Sequence, residues 1–154
     1  MIGLGSILSQ FLLVRWRIKK QKEDEKEKQK DIITSLSTLT KVIKEDIKGH
    51  KKIIKNHIIP SYFISSIPSN FYITSIKSHL NGNETRKLKE CLIKAQHKIE
   101  NINRLISLAQ EAHTLSDKGT WMVLLMEIKD NDFKYHKHLS QLINQINSEL
   151  EKLM

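Results

Sequence analysis

Seven histidines, one cysteine and a pair of aspartates near residue 130 are the side chains of this chain with the most chemical reach. His50 and His57 stand seven residues apart, which puts both on one helix face, and Asp132 and His136 stand one helical turn apart. Either pair can give two ligands to a metal ion if another helix supplies the rest, because a zinc site needs three or four protein donors. The competing reading is two histidines packed in a helix seam. A carboxylate di-iron bundle needs Glu three residues before His so that both project onto shared metal, and none of the seven histidines has one there. Asp130-Asn131-Asp132 opens like a calcium loop but lacks the turn glycine and the late bidentate Glu. The phosphate-binding glycine loop, the nucleophile elbow and the Cys/His zinc spacing are all missing. Cys91 lies in a helical pattern beside Leu88 and Leu92, the setting of a structural thiol, and a lone cysteine makes no intrachain disulfide, which fits a reducing compartment. Asn83-Glu84-Thr85 has the form of a glycosylation acceptor but is a chance match if the chain faces the cytoplasm. The expectation is a protein that is not an enzyme, with no catalytic residue, no metal and no cofactor.

The elements that must position these residues are helices. The chain is poor in glycine and proline and rich in Lys, Glu, Ile, Leu, Gln and Asn. Three apolar stripes recur at steps of three and four: Ile32, Leu36, Leu39, Ile43, Ile47, His50, Ile54 and His57; then Leu88, Leu92, Ala95, Ile99, Ile102, Ile106, Ala109 and His113; then Trp121, Leu125, Ile128, Asp132, Tyr135, Leu139, Leu142, Ile146, Leu150 and Leu153. They predict helices over about 30–58, 84–113 and 119–152, antiparallel where the connections are short.

The N-terminus carries a different signal. Met1 to Val14 is uncharged and runs into Arg15-Trp16-Arg17-Ile18-Lys19-Lys20. Hydrocarbon excludes charge while the headgroup layer accepts Trp, Arg and Lys, so this order suits a segment held at a membrane, with Arg15, Trp16, Arg17, Lys19 and Lys20 at the interface. Fourteen helical residues cover about 21 Å against a hydrocarbon core of about 30 Å. A short signal-anchor transmembrane helix, with its arginines snorkelling, therefore stands beside an interfacial helix with Ser6, Gln10 and Arg17 on one face and Ile7, Leu8, Phe11 and Leu12 on the other. An ordinary packed helix is the third reading. Gly5 and Ser9, four apart, also suit a close helix–helix approach. The positive-inside rule puts the bulk of the chain in the cytoplasm and the N-terminus outside. The net charge of +9 suits a nucleic-acid binder, yet the densest basic run lies where anionic lipid would attract it, and the charges after residue 31 are dispersed among acids.

Between the first two stripes, residues 60–76 hold both prolines and four of the nine aromatics. This segment predicts a compact loop followed by a short helix from Ser69, its N-cap, to Leu80, with Asn81-Gly82-Asn83 as the stop. Tyr62, Phe63, Phe71 and Tyr72 are then either an apolar plug closing the membrane-distal end of the bundle or a partner-binding surface.

The order of membrane segment, charged helix, Ile58-Ile59-Pro60, Ser- and aromatic-rich connection, and Lys98-Ile99-Glu100-Asn101-Ile102-Asn103-Arg104-Leu105-Ile106 resembles a loose group of small bacterial membrane-anchored helical proteins. The resemblance covers most of residues 1–110 and implies a bacterial source and an anchored topology; it brings no activity. The expected fold is all-α: an N-terminal membrane-associated helix, then an antiparallel bundle of three long helices with one short connecting helix. The expected organisation is a membrane anchor or interfacial helix over 1–20, a charged neck over 21–31 and a cytoplasmic helical bundle over 32–154, at the bacterial inner membrane. The expected partners are membrane lipid and another protein chain or a second copy, with a basic nucleic-acid binder and a membrane-active effector as the alternatives. An accessory role in a bacterial multi-protein, defence-like system goes with the anchored reading.

Overall fold

A computed structural model describes residues 4–80 and 82–154, and over those residues the chain is all helical. The first three residues of the expected membrane segment and Asn81 of the expected stop lie outside the described residues. Helix α1 runs Leu4–Lys55, α2 Ser69–His79, α3 Arg86–Thr114 and α4 Lys118–Lys152. The expected anchor, neck and first bundle helix are thus one helix of 52 residues, about 78 Å long. Nothing in residues 15–31 stops it: Lys, Glu and Gln are good helix formers, and their alternating charges at three- and four-residue spacing support the turn geometry.

Contacts fix the directions. His50 meets Tyr62, Asp46 binds Ser65, Ser35 binds Tyr72 and Glu25 meets His79, so the connection and α2 return antiparallel to α1. Gln110 binds Pro60, Asn103 binds Ile64 and Gln96 binds Ile67, which sets α3 antiparallel to that returning segment and hence parallel to α1. Thr40 binds Asn147 and Cys91 faces Gln145, so α4 opposes both. Four segments therefore stand in a ring in which α1 and α3 each pack on α2 and α4 and lie diagonal to one another. The long connection is the reason that α1 and α3 are parallel, because it crosses the bundle itself before α3 begins.

Both long upward helices end alike. Ile58 N–H reaches Ile53 C=O and His57 N–H reaches Ile54 C=O; Asp117 reaches Ala112 and Ser116 reaches His113 in the same pattern. His57 and Ser116 take the left-handed conformation at φ 58° that this closure requires. The expected stripe therefore fails at its last positions: His57 and His113 lie past or at the helix ends and are exposed, while Ala112 is buried instead. The α2 N-cap is Pro68, without a side-chain cap bond, since Tyr72 N–H bonds the Pro68 carbonyl; Ser69 is the first helical residue. Asp117 caps α4 by accepting from Thr120 N–H at 3.2 Å and from its hydroxyl at 2.6 Å, which holds its carboxyl below the usual range.

One stripe changes register. Helix α4 breaks at Asp130, and Asn131, Asp132 and Phe133 follow with φ of 51°, 55° and 59°. The buried positions below the break are Phe133, His136, Leu139, Ile143, Ile146, Glu149 and Leu150, whereas Asp132 is exposed and Tyr135 and Leu142 are half-buried. A continuous helix would have placed those three on the seam.

Candidate functional site

The unpaired part of α1 is the largest chemical feature of the surface. From Gly5 to Asp24 every residue is exposed, a stalk of about 30 Å beyond the bundle. Along it Ile7, Leu8, Phe11, Leu12, Leu13, Val14, Trp16 and Ile18 are each about half to two-thirds exposed, and Phe11 stands at 63%. At 100° per residue all but Leu13 fall within one broad arc, with Ser6, Ser9, Gln10, Arg17 and Lys20 opposite. Arg15, Arg17, Lys19, Lys20 and Lys22 follow with no acid before Glu23, and the Lys20 ammonium lies 5.0 Å from the Trp16 ring centroid. No helix among the described residues is long and apolar enough to cross a membrane. The expected transmembrane signal-anchor is thus not supported.

The aromatic segment is divided by the fold. Tyr72 is buried at 5% exposure with its hydroxyl 2.5 Å from Ser35 Oγ, whereas Phe71 is 64% and Phe63 48% exposed. Tyr62 lies across α1 with its hydroxyl over Gly49, where any Cβ would collide with it, so the glycine is what lets this ring lie flat on the helix. The true plug is aliphatic: Ile64, Ile67 and Ile76 are buried. The extended backbone carrying them is satisfied by side chains. Asn103 gives its carbonyl to Ile64 N–H and its amide to Ile64 C=O, both at 2.9 Å, like a neighbouring strand. Gln96 accepts from Ile67 N–H, Gln110 donates to Pro60 C=O, and Asp46 accepts from the amide and hydroxyl of Ser65. These polar residues on otherwise apolar helix faces are the sequence signal of that role.

Of the histidines singled out by spacing, the fold joins one from each pair. His50 and His136 are fully buried with ring centroids 5.7 Å apart, while His57 and Asp132 face solvent. His50 Nε2 meets Tyr62 C=O at 2.9 Å, but His50 Nδ1 and both His136 nitrogens have no partner. Burial, with the charges of His50 and Lys51 nearby, pushes His136 down to about 3. Burial lowers His50 as well, against the raising effects of the Tyr62 carbonyl and Asp46. Two imidazoles do not complete a metal shell, and no cluster of three or more ligating side chains occurs among the described residues. Cys91 is buried, and desolvation raises its thiol, an inert arrangement. At the bundle end away from the stalk, a cleft of about 520 Å³ opens between the 57–61 turn, Gln110, His113 and Trp121. Ile58, Leu115, Val123 and Met126 are exposed around that end.

No protein-family model matches the chain, and neither a curated protein nor a solved structure matches it.

Proposed function

We propose that this chain is a noncatalytic helical module held on the surface of an anionic membrane by the stalk of α1, where its bundle engages another protein chain. The observation that carries the reading is the naked amphipathic stalk: a broad apolar arc that nothing among the described residues covers, followed by five cations before the first acid. Apolar side chains on such a helix enter the boundary between headgroups and acyl chains, and the basic residues beside them gain from anionic lipid. The stalk lies in the interface on this reading and does not span. Charge argues against two stalks pairing side by side in parallel, since Arg15, Arg17, Lys19, Lys20 and Lys22 of both copies would adjoin. The cytoplasmic leaflet of a bacterial inner membrane is the surface that fits a basic flank and a lone thiol.

Tethering raises the local concentration of the bundle in two dimensions, which favours binding over turnover as the purpose of the anchor. On the aromatic segment the surface offered to a partner is Phe63 and Phe71, with Tyr62 at its border; Tyr72 belongs to the core. The test is co-sedimentation of the full chain, and of a chain beginning at Gln21, with phosphatidylcholine vesicles with and without phosphatidylglycerol. The full chain is expected in the pellet with anionic vesicles, less so at high salt, and the shortened chain in the supernatant. Equal recovery of the two forms in the supernatant would end the proposal. RNA or DNA retained through a high-salt wash would favour the nucleic-acid alternative.

A further inference from the structure

Three oddities of the bundle meet at one place: consecutive left-handed residues at Asn131, Asp132 and Phe133, partnerless buried nitrogens on His136 and His50, and an α4 seam that departs from the stripe written in its sequence. Left-handed backbone is disfavoured for any residue with a Cβ and most of all for a bulky one such as Phe133. Buried imidazole nitrogens without partners are equally unfavourable. The geometry points to a two-register helix: we infer that residues 130–133 are a pivot about which the lower half of α4 rotates between the observed seam and that of a continuous helix.

The two seams share three residues. Leu139, Ile146 and Leu150 belong to both; the observed one adds Phe133, His136, Ile143 and Glu149, and the continuous one adds Asp132, Tyr135, Leu142 and Leu153. At 100° per residue their centres differ by about 40°, less than half of one residue step. Tyr135, Leu142 and Leu153 already pack at the margin of the core, so the second seam is formed by side chains that stand beside the first. Rotation would remove the left-handed residues and release His136 from its unpaired burial. Against that it would bring Asp132 inward and break the 2.8 Å bond from the Thr40 hydroxyl to Asn147 that ties α4 to α1. Opposed costs on the two sides are what a bistable element requires, and the helix that rotates packs against α1, the helix that carries the stalk.

The two registers are separable by backbone chemistry. Asn131→Gly with Asp132→Gly accepts the left-handed break and should hold the observed register; Asn131→Ala with Asp132→Ala penalises it and should favour the continuous helix. Backbone chemical shifts at 131–133, and nuclear Overhauser contacts of Ile143 and Leu142 methyls with the core, report which is present. The glycine pair is expected to keep left-handed shifts with Ile143 inward, and the alanine pair to give helical shifts with Leu142 inward. An alanine pair that keeps the left-handed shifts and merely melts lower would overturn the proposal. Should that variant not fold, relaxation dispersion on the unaltered chain decides: exchange confined to residues around 130–143 supports two registers, and flat profiles there reject them.

Discussion

Phe11 and Ile43 lie on the same face of the same helix, one largely exposed and the other fully buried. Steps of three, four and seven connect Ile7, Phe11, Val14 and Ile18 through Glu25 and Gln29 to Ile32, Leu36, Ile43, Ile47, His50 and Ile54. What differs is the cover. Below Glu25 the stripe meets nothing; above it α2 and α4 close over it, with the Gln29 amide and Glu25 carboxylate reaching the end of α2. Periodicity therefore fixes which face of a helix is sticky and says nothing of what it sticks to. In the bundle the answer is the rest of the chain; on the stalk no described residue supplies one.

The largest expected effect breaks the covered half alone. Ile102 is fully buried in the middle of the α3 seam, so Ile102→Asp places an unpaired charge there and should cost roughly 4 kcal/mol, enough to unfold much of the population. Phe11→Asp, on the bare half, should leave the thermal midpoint of the bundle unchanged and reduce vesicle binding severalfold. Thermal melts of both would reject the comparison if Phe11→Asp unfolded the bundle as well.

Acid should separate the two halves next. Because His136 titrates at about 3 in the fold and near 6.5 when unfolded, the unfolded chain binds the extra proton in between. Stability from its neutral burial is present above pH 6.5 and is lost as pH falls, about 1.4 kcal/mol per pH unit, hence roughly 2 kcal/mol by pH 5, where carboxylates are still ionised. His50, lowered for the same reason, adds to the loss. Urea midpoints between pH 7 and 5 measure this. His136→Leu should flatten the profile, and an unchanged slope in that variant would assign the pH dependence elsewhere.

A smaller loss is expected from one hydroxyl. Tyr72→Phe removes the bond to Ser35 and leaves the ring in place, costing about 1 kcal/mol in a urea titration. Gly49→Ala should cost about as much for another reason: its methyl must displace the Tyr62 hydroxyl, a flexible end that can swing toward solvent. Tyrosine solvent exposure by ultraviolet difference spectra should rise in the second variant and stay constant in the first.

How far the sequence reached follows from the same physics. The α3 stripe was legible because its seven positions from Leu88 to Ala109 repeat without interruption, and all are buried. The lower α4 seam was misread because a break of four residues rotates everything after it, and Asp130-Asn131-Asp132 carries no glycine to announce left-handed backbone. Residues 21–31 are no separate element, because their opposite charges at helical spacing support continuation of the helix. Pairing of His50 with His136 was not visible, since spacing within a helix cannot tell which residues meet across two. Asn103, Gln96 and Gln110 stand in the α3 pattern as polar residues among apolar ones, and their task is set by a loop 29 to 50 residues away.

The smallest expected effect sharpens the line between plug and surface. Phe63 and Phe71 each lie only four residues from Ile67, which is buried at 2% exposure, yet they themselves stand outside. If the aromatic segment were a plug, truncating them would open cavities and cost several kcal/mol. Because they are about half and two-thirds exposed, Phe63→Ala with Phe71→Ala should change stability by no more than about 0.5 kcal/mol per site. Ile67→Ala, beside them, should cost about 3 kcal/mol. That contrast isolates surface from core within one short segment. A double phenylalanine variant that melts like the wild type but no longer captures its partner on anionic vesicles would assign the binding face to these two rings. Retained capture would move it to the far end of the bundle, where Ile58, Leu115, Val123 and Met126 are the exposed apolar side chains.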